Sequence, residues 1–301
     1  MARVLMAGSS GFLGTHLRAE LTRRGHEVTA LVRRPARAGE SSWDPYSGHL
    51  DQAVVDAADV VINLAGSPTL GNPHSGRWAS QLRESRVATT QVLARAVAAS
   101  DRRPAFLAGN GVAWYGDHGD QPLDESADSR GHAFMTGVCR DWEEAARPAV
   151  RAGARVCVLR TTPVMDASSA PLRQLLPLFR LGLGARLGGG HQYMPMISLR
   201  DWVGAVAHLV EHDDVSGPVN LSCVDTPTNA EFTRALARAV GRPSLLAVPS
   251  AALRLGAGRL APEVLSSVDV RPAVLLGSGY VFQDPDVTAV LGSALGRALP
   301  A

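Results

Sequence analysis

Three glycines recur at intervals of three in Gly8-Ser9-Ser10-Gly11-Phe12-Leu13-Gly14, directly after a short apolar run. The first permits a tight turn, and the second lets backbone N–H groups approach a pyrophosphate. The third lets the following helix pack close to the strand, and the helix N-terminus favours the anion. This spacing predicts a dinucleotide site built from Gly8, Ser10, Gly11, Phe12, Leu13 and Gly14; a purely structural turn is the alternative. Arg33 and Arg34 close the next strand, where an acidic residue would bond a ribose 2′-OH and repel a 2′-phosphate. Guanidinium groups suit a phosphate, so the pair predicts NADP(H) over NAD, against two solvated surface arginines. Leu64-Ala65-Gly66 ends a further strand, where small residues let backbone pass beside the dinucleotide.

These residues require a particular set of elements. Arg3 to Ala7 reads as a buried strand, Phe12 to Arg24 as a helix ended by Gly25, and Glu27 to Val32 as a second strand. Asp56 to Leu64 is expected to be a strand, Leu82 to Ser100 a long helix and Pro104 to Ala108 the strand after it. Asp141 to Ala152 reads as helix and Arg155 to Arg160 as strand. Alternation of this kind predicts an α/β fold, a Rossmann-type doubly wound parallel sheet over residues 1–165. Residues 166–301 change pattern, with Gly-rich 182–190, a helix from Trp202 to His212 capped by Asp201, and a short strand at Val219 to Ser222. They predict a smaller C-terminal substrate or lid domain, with segments that return to the main sheet as an open alternative.

Composition narrows the chemistry. The 301 residues carry 30 arginines and no lysine, which excludes a Schiff base, a phosphate-loop lysine and a lysine-assisted tyrosine. GC-rich coding is a sufficient origin for that bias. A net charge of +2 without a basic stripe speaks against a nucleic-acid partner. No apolar run approaches a membrane span, and the N-terminal stretch reaches glycines too early for a signal peptide. Three dispersed cysteines form neither a disulfide framework nor a metal spacing, so a cytoplasmic location is expected. His74 has no partner at ligand spacing, and no metal is expected. The partner is a small-molecule substrate, and the chain is expected to be a monomer or homodimer.

GSSGFLG, VINLAG, WYGD, SRVATT, CRDWE and GGGHQYMPMISLRDWV together resemble the extended and atypical short-chain dehydrogenase/reductase superfamily. Within it the chain is similar to the epimerase-like family often described as nucleoside-diphosphate-sugar epimerases. The stretch from Val248-Pro249 to Asp284 resembles that family's small C-terminal region of unknown function. The resemblance implies an NADP-binding oxidoreductase or epimerase-like enzyme acting on a carbonyl-type substrate. In the wider superfamily a Tyr, a Lys four residues later, a Ser and an Asn move the proton. The family itself often has Cys for that Lys and Arg for that Asn. Here Met135 stands at the Tyr position, Cys139 at the Lys position, Arg86 at the Asn position and Asn110 at the Ser position.

Other groups remain for catalysis. Tyr115, after the strand ending at Ala108, is a candidate acid or base assisted by Arg86, or a packing tyrosine. Cys139 is a candidate thiolate or an inert buried thiol, and Asn110 a donor to a substrate oxygen. Thr162-Pro163 is placed beside the nicotinamide. Trp78, Met135, His191 and Gln192 are candidate substrate contacts, and Trp43, Trp78 and Trp114 are expected in loops. Losing the Tyr–Lys pair leaves a second reading open, a catalytically weak or inactive NADP-binding sensor or regulator. A sugar-nucleotide substrate finds no second phosphate-binding cluster.

Overall fold

The computed structural model describes residues 1–69 and 71–296. An eight-stranded sheet runs in the order β12-β8-β6-β5-β1-β2-β3-β4. Its strands are β1 (Arg3–Ala7), β2 (Glu27–Val32), β3 (Glu40–Asp44), β4 (His49–Leu50), β5 (Val60–Asn63), β6 (Ala105–Gly111), β8 (Val156–Thr161) and β12 (Gly217–Leu221). β1 pairs in parallel with both β2 and β5, as do β2 with β3 and β5 with β6; β4 returns antiparallel on β3. The chain therefore leaves β1 toward one edge and comes back to β5 on its other side. In an open α/β sheet that reversal creates the crevice where ligands bind, beyond the carboxyl ends of the strands.

Several elements differ from the sequence expectation for local reasons. The expected strand from Asp56 divides into α2 (Gln52–Ala57) and β5. Asp51 accepts from Ala53 N and caps the helix, and the buried apolar run begins only at Val60. The long helix α3 (Gly76–Ala99) starts six residues before Leu82 because the Ser75 hydroxyl caps it through Trp78 N at 3.2 Å. The expected helix over 141–152 is instead α4 (Phe134–Glu144) and α5 (Arg147–Arg151). Pro148 lacks the N–H that would bond back to Glu144, so the first helix cannot run through. Trp43 lies in β3 and is buried in the core, Trp78 sits in the first turn of α3, and Trp114 closes a 3₁₀ turn at Val112–Trp114; none occupies an open loop.

The chain forms two compact units, each built from several segments. The first comprises Met1–Asn110, Val138–Arg160 and Val203–Val219. Its core joins Leu5, Ala7, Leu31, Val61, Leu93, Val97, Phe106 and Val158 beneath the sheet. The second comprises Gly111–Gly137, Thr161–Trp202 and Asn220–Ala301. It contains three short parallel pairs: β7 (Pro122–Leu123) with β14 (Asp269–Val270), β9 (Val164–Met165) with β11 (Ile197–Ser198), and β10 (Ala185–Leu187) with β13 (Leu246–Val248). α6 (Ala170–Arg180), α8 (Asn229–Ala239) and α12 (Val287–Ala294) enclose a core of Leu172, Leu176, Phe179, Phe232, Leu236 and Leu291. Among the described residues, no helix is long and apolar enough to cross a membrane.

Asp201 holds the second unit's C-terminal stretch. The helix α7 (Leu199–Glu211) begins two residues before it, so Asp201 lies in the first turn and is not the N-cap. Its carboxylate is fully buried and accepts from Tyr280 Oη at 3.0 Å, Gln283 N at 2.9 Å and Asp284 N at 2.7 Å. Arg200 then pairs with Asp284. Removing the acceptor strands the Gln283 and Asp284 N–H groups, the second of them deeply buried, while Tyr280 Oη keeps the Asp201 main-chain carbonyl at 3.1 Å. Asp201→Ala is expected to lose about 2–4 kcal/mol of unfolding free energy in urea; an unchanged midpoint contradicts this role.

Candidate dinucleotide and anion site

The glycine loop has the geometry that close backbone approach demands. Gly8 has φ +83°, and a β-carbon there would lie 2.5 Å from the Leu64 carbonyl carbon and 2.7 Å from Ala65 N. A β-carbon on Gly14 would overlap the Gly8 carbonyl oxygen. The turn closes through Gly11 N donating to Gly8 O at 3.1 Å, and α1 (Phe12–Arg23) begins at once. Leu64 N donates to Ala7 O at 3.0 Å, so the backbone after β5 lies against the loop after β1. Gly11 and Ser10 are exposed at the mouth of this crevice, and Phe12 and Leu13 form the first turn. A cradle in which side chains would collide with backbone fits the pyrophosphate of a dinucleotide.

The two arginines after β2 are not equivalent. Arg34 grips Glu40 with both Nη groups at 2.7 Å, and this pair holds the Glu40 carboxyl down at about 2. Arg33 is exposed and makes no ion pair among the described residues. The nearby acid is thus neutralised by one arginine while the other stays available for an anion.

A buried polar network braces the end of β5. Asn63 Nδ2 donates to Thr90 Oγ1 at 2.9 Å and lies 3.3 Å from Thr89 Oγ1, while Asn63 Oδ1 accepts from Ala65 N. Trp142 Nε1 of α4 donates to the same Thr90 hydroxyl at 2.8 Å. Gly109 admits the indole, since a β-carbon there would lie 2.8 Å from Asn63 O and 3.2 Å from Trp142 Cζ2. Arg86 lies over that indole, its Cζ 5.2 Å from the ring centroid. Its Nη1 donates to Ser67 O at 3.2 Å and Leu82 O at 3.0 Å, and its Nη2 to Thr69 Oγ1 at 3.0 Å. The side chain is 6% exposed. Burial lowers its pKa, opposed by the charge of a Cys139 thiolate. Arg86, Thr89 and Thr90 share one face of α3 at helical spacing, and Trp142 follows Cys139 by three. Asn63, Thr89, Thr90 and Trp142 lie within VINLAG, SRVATT and CRDWE, but those motifs by themselves assign them no role.

The remaining candidates occupy varied surroundings. Asn110 is buried and its Nδ2 donates to the Cys139 carbonyl at 3.1 Å, and the Cys139 side chain is fully buried. In the second unit, Tyr115 is fully buried with its hydroxyl donating to Asn220 Oδ1 at 2.7 Å and lying 3.1 Å from Asp124 O. Asn220 is itself held by Glu125 Oε1 and the Arg271 carbonyl. Met135 is half-buried in the first turn of α4, its N–H donating to Glu263 Oε1 at 2.6 Å. Thr162 gives its hydroxyl to Leu221 O at 2.7 Å, and Pro163 beside it is exposed. His191 is exposed, and Gln192 Nε2 donates to Leu187 O at 3.0 Å. Trp78, in the first unit, packs on Gly71. No group of three or more His, Cys, Asp or Glu among the described residues could hold a metal ion.

Comparison with known proteins agrees with this architecture. Residues 4–222 match the NAD dependent epimerase/dehydratase family, and residues 248–294 match a domain of unknown function, DUF1731. The chain belongs to the NAD dependent epimerase/dehydratase family. It is 42% identical over 298 residues to an epimerase family protein of Mycobacterium bovis, covering 98% of each chain. The crystal structure of the human epimerase family protein SDR39U1 with NADPH superposes with a TM-score of 0.84 at 33% identity, covering 96% of this chain and 97% of that one. A nucleoside-diphosphate sugar epimerase from Corynebacterium glutamicum gives 0.81 at 32% identity, covering 98% of this chain and 58% of that one. The Asp201 clamp closes on Tyr280, Gln283 and Asp284, within the domain of unknown function.

The Tyr115 hydroxyl sits within a buried hydrogen-bond network. Tyr115→Phe is expected to lose about 1–2 kcal/mol in urea unfolding, as a buried donor is deleted and Asn220 Oδ1 loses its partner. Full retention of stability contradicts a structural tyrosine.

Proposed function

We propose that the chain is an NADP(H)-binding oxidoreductase or epimerase-like enzyme that acts on a carbonyl-type small molecule. The observation that carries this reading is the juxtaposition, within one unit, of a glycine cradle and a buried arginine at the carboxyl ends of β1 and β5. Gly8, Gly11 and Gly14 would hold the pyrophosphate, with Leu64, Ala65 and Gly66 passing beside it. Arg33 would meet the 2′-phosphate while Arg34 neutralises Glu40. The NADPH in the human relative supports the choice of dinucleotide. When bound, the dinucleotide supplies or accepts the hydride.

The chain's own residues orient and polarise. Arg86 draws electron density from a substrate oxygen, and Trp142 fixes its guanidinium. Asn63, Thr89 and Thr90 fix Trp142 in turn. Asn110 positions the helix that carries Cys139. With the Tyr115 hydroxyl committed to Asn220 and Met135 unable to carry a proton, water is the proton carrier in this reading. A small-molecule partner suffices, in a monomer or homodimer. The same commitment of Tyr115 favours the second reading, a sensor that binds NADP(H) without turning it over.

NADPH is expected to raise the melting temperature more than NADH does. At about 100 times Kd the ligand adds about 2.7 kcal/mol, roughly 5 °C for a chain of this length. Arg33→Ala is expected to narrow the difference more than Arg34→Ala, and equal stabilisation by both dinucleotides contradicts the assignment. NADPH oxidation across a panel of carbonyl compounds separates the two readings. Turnover with any of them supports the enzyme, whereas tight binding with no turnover supports the sensor.

A further inference from the structure

Two arginines of the first unit are almost completely buried, and they are treated differently. Arg160 is 2% exposed and its Nη2 reaches both oxygens of Glu143. Arg86 is nearly as buried, yet among the described residues no carboxylate reaches it; its acceptors are two carbonyls and one hydroxyl. A buried cation left without an anion is strongly disfavoured, and the face of Trp142 offsets only part of that.

The unused hydrogens have a defined arrangement. A guanidinium offers five N–H groups. Ser67 O and Leu82 O take the pair on Nη1, and Thr69 Oγ1 takes one on Nη2. Nε is buried with no hydrogen-bond partner among the described residues. Nε–H and an Nη2–H lie along one edge, and that fork matches the two oxygens of a carboxylate. Thr69 is exposed, so the hydroxyl that accepts from Nη2 is neutral, at the surface and displaceable.

We propose that the Nε/Nη2 edge of Arg86 receives the carboxylate of the substrate, which makes the substrate a small oxo-carboxylate rather than a neutral carbonyl compound. The carboxylate displaces the Thr69 hydroxyl and satisfies Nε. The assignment rests on the proposed function for the identity of the site and adds the charge of its ligand. A thiolate at Cys139 is the rival counter-ion, because its charge bears on Arg86.

Calorimetric titration of the full chain, with and without saturating NADP+, tests this with two acid–amide pairs: oxamate against oxamide, and benzoylformate against its amide. At least one acid is expected to bind roughly thirtyfold tighter than its amide. Arg86→Gln should abolish that preference and leave NADPH affinity intact. Arg86→Lys, which keeps the charge without the fork, should retain a weakened preference, and Thr69→Ala should retain or strengthen it. Absence of preference in both pairs overturns the proposal, as does a preference that survives Arg86→Gln. Acid binding that emerges only in Cys139→Ser assigns the counter-ion to the thiolate. Loss of NADPH affinity in both Arg86 variants assigns the charge to the dinucleotide's phosphates; each of these outcomes overturns it too. Failure of the underlying function shows separately, in the titration with NADPH alone.

Discussion

Gly14 sits against the carbonyl of Gly8 with no room for a β-carbon between them, and much of the first unit follows from that contact. It fixes the start of α1 on the end of β1. Gly8, held at positive φ, then touches the backbone leaving β5. Three chain segments are thereby brought to one point by backbone alone. Side chains are excluded from the region, so what approaches it meets N–H groups and a helix terminus. Substitution at either glycine would move a strand relative to its helix, not merely fill a gap.

The polar network behind this crevice is an arrangement of a different kind. Asn63, Thr90 and Trp142 each hold more than one neighbour, and Gly109 makes room for the indole. Buried polar groups that are fully satisfied specify a single geometry, because any slip leaves a donor or acceptor unpaired. The rigidity of that frame is what lets Arg86 remain in place against the desolvation it suffers.

Much of this was legible from residue types and spacing. The glycine intervals placed the crevice, and Arg33-Arg34 placed a phosphate-compatible end on β2. The spacing did not reveal that Glu40, six residues on, would occupy Arg34; that pairing depends on β3 lying beside β2. Tyr115 read as a candidate acid or base because its place in the chain follows β6. Its commitment to Asn220 joins residues 105 apart in sequence, and no local pattern encodes such a partner. Asp201 is a second case of distant partners. Its position before an apolar helix has the form of a cap, while its actual donors come from residues 280–284. Helix boundaries failed where a single hydroxyl or proline decided them, at Ser75 and Pro148.

The three thiols are all buried, and none is in a disulfide. Burial pushes Cys157 up to about 11 and Cys223 up to about 12, so in the closed protein neither is a nucleophile at neutral pH. Cys139 and Cys157 belong to the first unit and Cys223 to the second. The chain therefore carries native reporters of its own breathing. The rate at which a thiol reagent labels each one measures how often that part of the molecule opens to solvent. With no lysine in the sequence to compete for electrophiles, such labelling reads the two units' local stabilities separately, without any engineered probe.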